Sequence, residues 1–135
     1  MNKLSSLAQI RNYAPKPLSP QTHQALLKGL SKFKASQDYS HMAYTHAFEA
    51  DSLPFILEKM SKIGCIADEM GHHPEWTLRD RQLEVRLSTH DIGNRLSVKD
   101  YILASWVEKV LAEESLEKQL CQEWNGKSWK LDELQ

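Results

Sequence analysis

From Leu53 to Met70, apolar residues return at helical spacing: Leu53, Ile56, Leu57, Met60, Ile63, Ala67 and Met70. That period commits one stripe of a long helix to a core. Both ends are marked. Asp51 or Ser52 can cap the start, and Pro54 sits in the first turn. Gly71 is a natural residue to follow the last turn and Pro74 bars continuation, so the helix should end at about Met70. Soon afterwards the period drops to two. Leu83, Val85 and Leu87 alternate with Gln82, Glu84, Arg86 and Ser88, the pattern of a half-buried strand. Trp76 and Leu78 lead into a turn near Asp80, so residues 76–88 read as a hairpin. A chain that must bury a helical stripe and one face of a hairpin is confined to an α+β architecture, helices on one face of an antiparallel sheet.

The flanking segments fit that frame. Ser19 and Pro20 start a helix expected over about 19–34, with Ala25, Leu26, Leu27, Leu30 and Phe33 at helical spacing. Ser36, Gln37 and Asp38 make a turn. From Tyr39 to Ala50 the period is again two, with Met42, Tyr44, His46 and Phe48 on one face, so a strand is expected. Ser97-Val98-Lys99-Asp100 has the form of a capping box. The helix that it opens carries Tyr101, Ile102, Leu103, Ala104, Trp106, Val107, Val110 and Leu111, apolar over more than one face. Such a helix needs two partners: the sheet and, on this reading, a second copy of the chain. Residues 1–17 read as an N-terminal tail or short helix, 18–111 as the domain, and 112–135 as a polar C-terminal extension, partly helical through Leu116, Leu120 and Trp124.

Composition removes whole classes of function. A net charge of −1 and a pI of about 6.6 do not suit a protein built to neutralise nucleic-acid phosphates. No apolar run approaches the ~18–20 residues needed to span a bilayer. Cys65 and Cys121 make neither a CxxC nor a zinc-ligand spacing, which suggests a reducing compartment. A cytoplasmic location is expected. Mitochondrial import is the alternative, because the first acidic residue is Asp38 and the acid-poor start resembles a transit peptide.

Polar groups gather at structural breaks in one region only. His72 and His73 sit where the long helix stops, His90 and Asp91 where the hairpin's second strand stops, and Asp100 where the last helix starts. In an antiparallel hairpin the start of the first strand and the end of the second are neighbours, so His72/His73 should meet Thr89/His90 at one end of the sheet. Metal binding is a poor account of these imidazoles. Consecutive residues at a helix end point about 100° apart, and no HxxxH or HExxH spacing occurs. Ser88 is a candidate nucleophile but lacks a GxSxG elbow. Proton transfer suits the group best, since imidazole titrates near neutrality and can donate or accept. His-His-Pro as a plain turn sequence and Asp100 as a plain capping acid stand beside that reading. His23, His41 and His46 read as surface or satisfied core residues.

Three stretches carry a family resemblance: His72-His73-Pro74-Glu75-Trp76, Leu87-Ser88-Thr89-His90-Asp91 and Leu96-Ser97-Val98-Lys99-Asp100. Together with Asp68, the acid four residues before His72, they resemble the pterin-4a-carbinolamine dehydratases over about residues 18–111. The resemblance implies three helices on one face of a four-stranded antiparallel sheet, with strand and helix order α-β-β-α-β-β-α. It implies dimers or tetramers. It implies loss of water from 4a-hydroxytetrahydropterin to give quinonoid dihydropterin, in tetrahydrobiopterin recycling, with no metal or cofactor.

By the same resemblance His72 and His90 are the proton-transfer pair and His73 helps to hold the pterin. Backbone groups around Ser88, Thr89 and His90 bind its amide-like edge. Asp100 orients a histidine, and Asp68 does so from the helix. Asp68, Gly71, Pro74 and Asp91 are expected to bind the substrate together with these segments. Some positions depart from the family pattern. The pterin-lining Trp that many members carry after the first helix falls near Ala35, where Phe33 is the nearest aromatic. Gly71 stands where relatives often have Asp or Asn, and Lys99 where some have Arg. Two other functions compatible with the resemblance are partner binding through the 97–111 helix, in the manner of a dimerisation cofactor, and a pterin-binding role in molybdopterin metabolism.

Overall fold

The computed structural model describes residues 3–4, 6–48, 52–112 and 129–130. Their elements in chain order are β1 (Lys3–Leu4), α1 (Leu7–Asn12), α2 (Pro20–Leu27), β2 (Lys34–Ala35), β3 (Met42–Ala47), α3 (Leu53–Met70), β4 (Glu75–Arg79), β5 (Gln82–Leu87), a 3₁₀ turn (His90–Ile92), α4 (Val98–Ala112) and β6 (Trp129–Lys130). Strands β2 to β5 form one antiparallel sheet in the order β2-β3-β5-β4, and β1 pairs separately with β6. The α+β architecture is the one expected. The remainder of the 112–135 extension lies outside the described residues. Among the described residues no helix is long and apolar enough to cross a membrane.

Helix α3 forms as its sequence dictates. Ser52 is its cap, and Gly71 takes the left-handed conformation (φ 62°) that ends it. Its buried line is Ile56, Lys59, Ile63, Ala67 and Met70, while Leu53 and Leu57 are exposed. The stripe therefore swings by one position in the first turns. The reason is Lys59, which buries its stem and donates to the carbonyls of Val110 (3.1 Å) and Leu111 (3.4 Å) near the end of α4. A cation is favoured at that helix terminus.

Helix α2 differs from the sequence expectation. It stops at Leu27, not near residue 34, and the next residues supply the edge strand of the sheet. The cause is distant in sequence. The Glu108 carboxylate of α4 accepts from the backbone N–H groups of Ser31 (2.9 Å), Lys32 (2.7 Å) and Phe33 (2.9 Å). Those donors would otherwise seek carbonyls one turn back. Phe33 then enters the core, and Lys34 and Ala35 pair with Ala43 and Met42. Of the strand expected over 39–50, whose last two residues lie outside the described ones, β3 is formed, and the turn before it runs from Ser36 to His41, where Ser36 Oγ accepts from the N–H groups of Ser40 and His41.

β5 is buried at Leu83, Val85 and Leu87 and exposed between them. It pairs with β3 from Met42↔Leu87 to Ala47↔Gln82, and with β4 through a turn at Asp80 (φ 57°). Helix α4 is buried almost throughout. It packs on α3, meets α2 through Tyr101 and grips the 31–33 turn through Glu108. Its burial is met within one chain, so its apolar girth is no longer an argument for a second copy.

The segment read as a tail or short helix carries α1, capped by Ser6 and packed on α3 with Leu7 and Ile10 buried. His23 is a satisfied core residue. Its Nδ1 shares a 2.8 Å hydrogen bond with the Tyr101 hydroxyl, and its ring stacks on Tyr39 at 4.2 Å. Burial lowers the His23 pKa below the usual 6.5. The folded state therefore binds fewer protons than the unfolded chain in the window just below 6.5. Stability contributed by neutral His23 is full above that value and is lost as pH falls through the window. We expect the thermal midpoint to drop between pH 7.5 and pH 5.5, and to drop less in His23→Gln. An equal drop in both proteins would exclude this histidine as the cause.

Candidate active site

The end of α3 and the end of β5 deliver the histidines. The left-handed Gly71 is followed by a 3.0 Å bond from the His72 N–H to the Ala67 carbonyl, so His72 leaves the helix in a fixed direction. Its Nε2 lies 2.6 Å from Asp100 Oδ1, with the carboxylate fully buried and the imidazole 11% exposed. The other oxygen of Asp100 accepts from the Ser97 N–H (2.9 Å) and the Thr89 hydroxyl (2.6 Å). Ser97 Oγ is 2.7 Å from Thr89 Oγ1, and because the Thr89 proton is committed to Asp100, Ser97 is the donor. A carboxylate that only accepts fixes the tautomer of its partner. His72 carries its proton on Nε2 and keeps Nδ1 as its basic nitrogen.

The other two imidazoles are exposed and line a cavity of about 230 Å³. His90 opens the 3₁₀ turn. Gly93 (φ 76°) and Asn94 (φ 58°) bend the chain so that Asn94 Oδ1 accepts from His90 Nδ1 at 2.5 Å. His90 Nε2 stands 3.9 Å from Glu75. His73 Nε2 is 3.5 Å from Asp68 Oδ1. Both contacts are exposed and become ion pairs only when the imidazole is protonated, so they hold the rings weakly. The cavity is smaller than the roughly 300–1,000 Å³ of drug-sized sites and suits a compact ligand.

The meeting expected from strand pairing is present: His73 and His90, from either end of the hairpin, share one cavity with Ser88. Ser88 is no nucleophile poised by a base, since its hydroxyl donates to the Ser40 carbonyl at 2.6 Å. His72, Thr89 and Asp100 form the adjoining network and are not among the cavity's lining residues. Asp68 meets His73 outside the cavity, Gly71 ends the helix, and Pro74 precedes β4. Asp91 is exposed, and its charge acts on Lys99, whose pKa is pushed down by burial and pulled back up by Asp91 and Asp100. Asp100 does act as a capping acid as well, through Ser97.

Sequence reasoning missed Ser40, His41, Glu75, Arg86 and Asn94 as lining residues. Ser40 and His41 arrive through the β3–β5 register, because Met42 lies opposite Leu87. Glu75 and Arg86 are cross-strand partners in the hairpin and were legible from the same pairing that brought the histidines together.

Comparison with known proteins agrees with this architecture. The family described as "Pterin 4 alpha carbinolamine dehydratase" matches residues 16–110. A protein of Prochlorococcus marinus, named for the pterin-4-alpha-carbinolamine dehydratases, is 33% identical over 97 residues, covering 70% of this chain and 94% of the relative. A similarly named protein of Roseiflexus castenholzii is 33% identical over 64 residues, 47% of this chain and 68% of its own. Among solved structures, a protein described as a transcriptional coactivator/pterin dehydratase from Brucella melitensis shares the fold. Its TM-score is 0.64 at 19% identity, over 71% of this chain and 99% of that one. The family match over most of the chain, and a relative aligned along nearly its whole length, place this protein in the pterin 4 alpha carbinolamine dehydratase family, a family of hydro-lyases.

Proposed function

We propose that this protein dehydrates 4a-hydroxytetrahydropterin to quinonoid dihydropterin by histidine acid–base catalysis, in the recycling of tetrahydrobiopterin. The reaction breaks the C4a–O bond, places a proton on the departing hydroxyl and removes one from N5, whose electrons form the new C4a–N5 double bond. Two imidazoles are sufficient for both transfers, and each well-placed acid or base is worth roughly 10²–10⁴-fold.

The observation that carries the reading is the 2.6 Å His72–Asp100 pair adjoining a cavity lined by three further imidazoles, His41, His73 and His90. On this reading His72 is the base, acting through Nδ1, while its buried carboxylate partner holds the Nε2–H and fixes the ring's orientation. His90 serves the hydroxyl from the cavity wall, and His73, Ser88 and Arg86 hold the ring. Nδ1 of His72 has to reach N5 in the complex, in keeping with the tightening of catalytic contacts on substrate binding. The alternative of partner docking through 97–111 gains no support, because α4 is buried almost throughout within the chain.

The direct test generates the 4a-hydroxytetrahydropterin in situ and follows formation of quinonoid dihydropterin by absorbance. The protein is expected to accelerate dehydration well above the spontaneous rate. A rate equal to that of the protein-free control sinks the proposal.

A further inference from the structure

Residue Arg11 lies outside the part of the chain that matches the family, yet it touches both elements that build the His72–Asp100 pair. Its Nη1 donates to the Asp68 carbonyl at 2.8 Å, in the last turn of α3. That carbonyl already accepts the Gly71 N–H at 3.0 Å, so the guanidinium adds a second, charge-assisted bond at a helix C-terminus. The stem of Arg11 lies against the turn itself, since a Cβ built on Gly71 would stand 2.9 Å from Arg11 Cγ and 3.3 Å from its Nε. On its other side, the Arg11 carbonyl accepts from Lys99 Nζ at 3.1 Å. Lys99 is buried and immediately precedes Asp100 in the first turn of α4. Buried Leu7 and Ile10 anchor the helix that carries Arg11.

One residue thus fastens the turn that launches His72 with its side chain and the turn that launches Asp100 with its backbone. The pair between them spans 28 positions of sequence and depends on both ends being in register. We propose that Arg11 is a positioning residue for the His72–Asp100 pair, so that the segment ahead of the family domain tunes the catalytic machinery. The kinetic part of this proposal rests on the dehydratase reading; the geometric part does not.

The test uses the full chain with Arg11→Met, which keeps an apolar stem beside Gly71 and the backbone carbonyl to Lys99 while removing the guanidinium. Arg11→Lys is the conservative partner. Two readouts are taken on each: the imidazole Nε2–H resonance of His72, with its exchange rate with water, and the dehydration kinetics. Arg11→Met is expected to speed exchange of that proton and to lower kcat by about tenfold with KM little changed, since small misplacements of a catalytic group are costly. Arg11→Lys should restore both in large part. A His72 resonance and kcat in Arg11→Met equal to wild type would overturn the proposal. Loss of the fold in Arg11→Met would overturn it too, because the residue would then be holding the domain together and not the pair. If the wild-type protein shows no dehydration, the resonance alone decides, and the two readings fail separately.

Discussion

His90→Ala and His72→Ala are each expected to reduce kcat by about 10²–10⁴-fold, the range for loss of one acid or base. The two should differ in what else they cost. His90 is exposed, and its partners are Asn94 within its own turn and Glu75 at 3.9 Å. Its removal should leave the thermal midpoint near that of wild type. His72 is the donor to a fully buried carboxylate oxygen, so its removal strands that oxygen and also lowers stability, by about 1–3 kcal/mol. His73→Ala makes a useful contrast. The ring is exposed and is assigned to holding the pterin, so KM should rise with kcat largely kept. Steady-state kinetics and thermal unfolding on the three variants check the set. Wild-type kcat in both His72→Ala and His90→Ala would refute the catalytic assignment whatever the family membership.

Asp100→Ala should be strongly damaging to both stability and activity. The carboxylate receives the His72 ring N–H, the Ser97 backbone N–H and the Thr89 hydroxyl, all among buried or nearly buried groups. Removing it orphans three donors at once. Each buried donor left without a partner typically costs about 1–3 kcal/mol, so the loss of three acceptor bonds takes a large share of the roughly 5–15 kcal/mol that holds an ordinary domain folded. Asp100→Asn separates stability from chemistry. The amide fills the same space and can accept through one oxygen, but its nitrogen can only donate. Either Ser97 and Thr89 or His72 must then lose an acceptor, and a ring facing the amide nitrogen must turn its bare nitrogen inward. The basic nitrogen of His72 is then the wrong one. Activity should fall by about two to four orders of magnitude, a size of loss seen when the carboxylate behind a catalytic histidine is made an amide. Full activity in Asp100→Asn would show that the tautomer of His72 does not matter and would remove the base from the mechanism.

Much of this molecule is legible from local signals. Ser52, Pro54 and Gly71 mark α3 because caps and left-handed turns are decided by a residue and its near neighbours. The β4–β5 hairpin is legible for the same reason, and it carries the most useful spatial prediction, the approach of His73 to His90. What stayed hidden was decided at long range. Nothing near Leu30 indicates that a carboxylate some 75 positions away will take the N–H groups of residues 31–33 and turn helix into edge strand. Ser40 and His41 enter the cavity wall only through the pairing of β3 with β5. Spacing brought three imidazoles together but did not separate their surroundings. Only the folded structure shows that His72 goes to the buried carboxylate while His73 and His90 line the cavity.

The brevity of β2 has a consequence for solubility. Strand edges recruit other chains by presenting a row of open amide and carbonyl positions, and proteins blunt them by keeping them short. Lys34 and Ala35 are the whole of β2, and one of them is cationic, so β2 itself offers an incoming strand little backbone to template on. A strand docking on β2 would meet two residues and a charge, features that discourage edge-to-edge association.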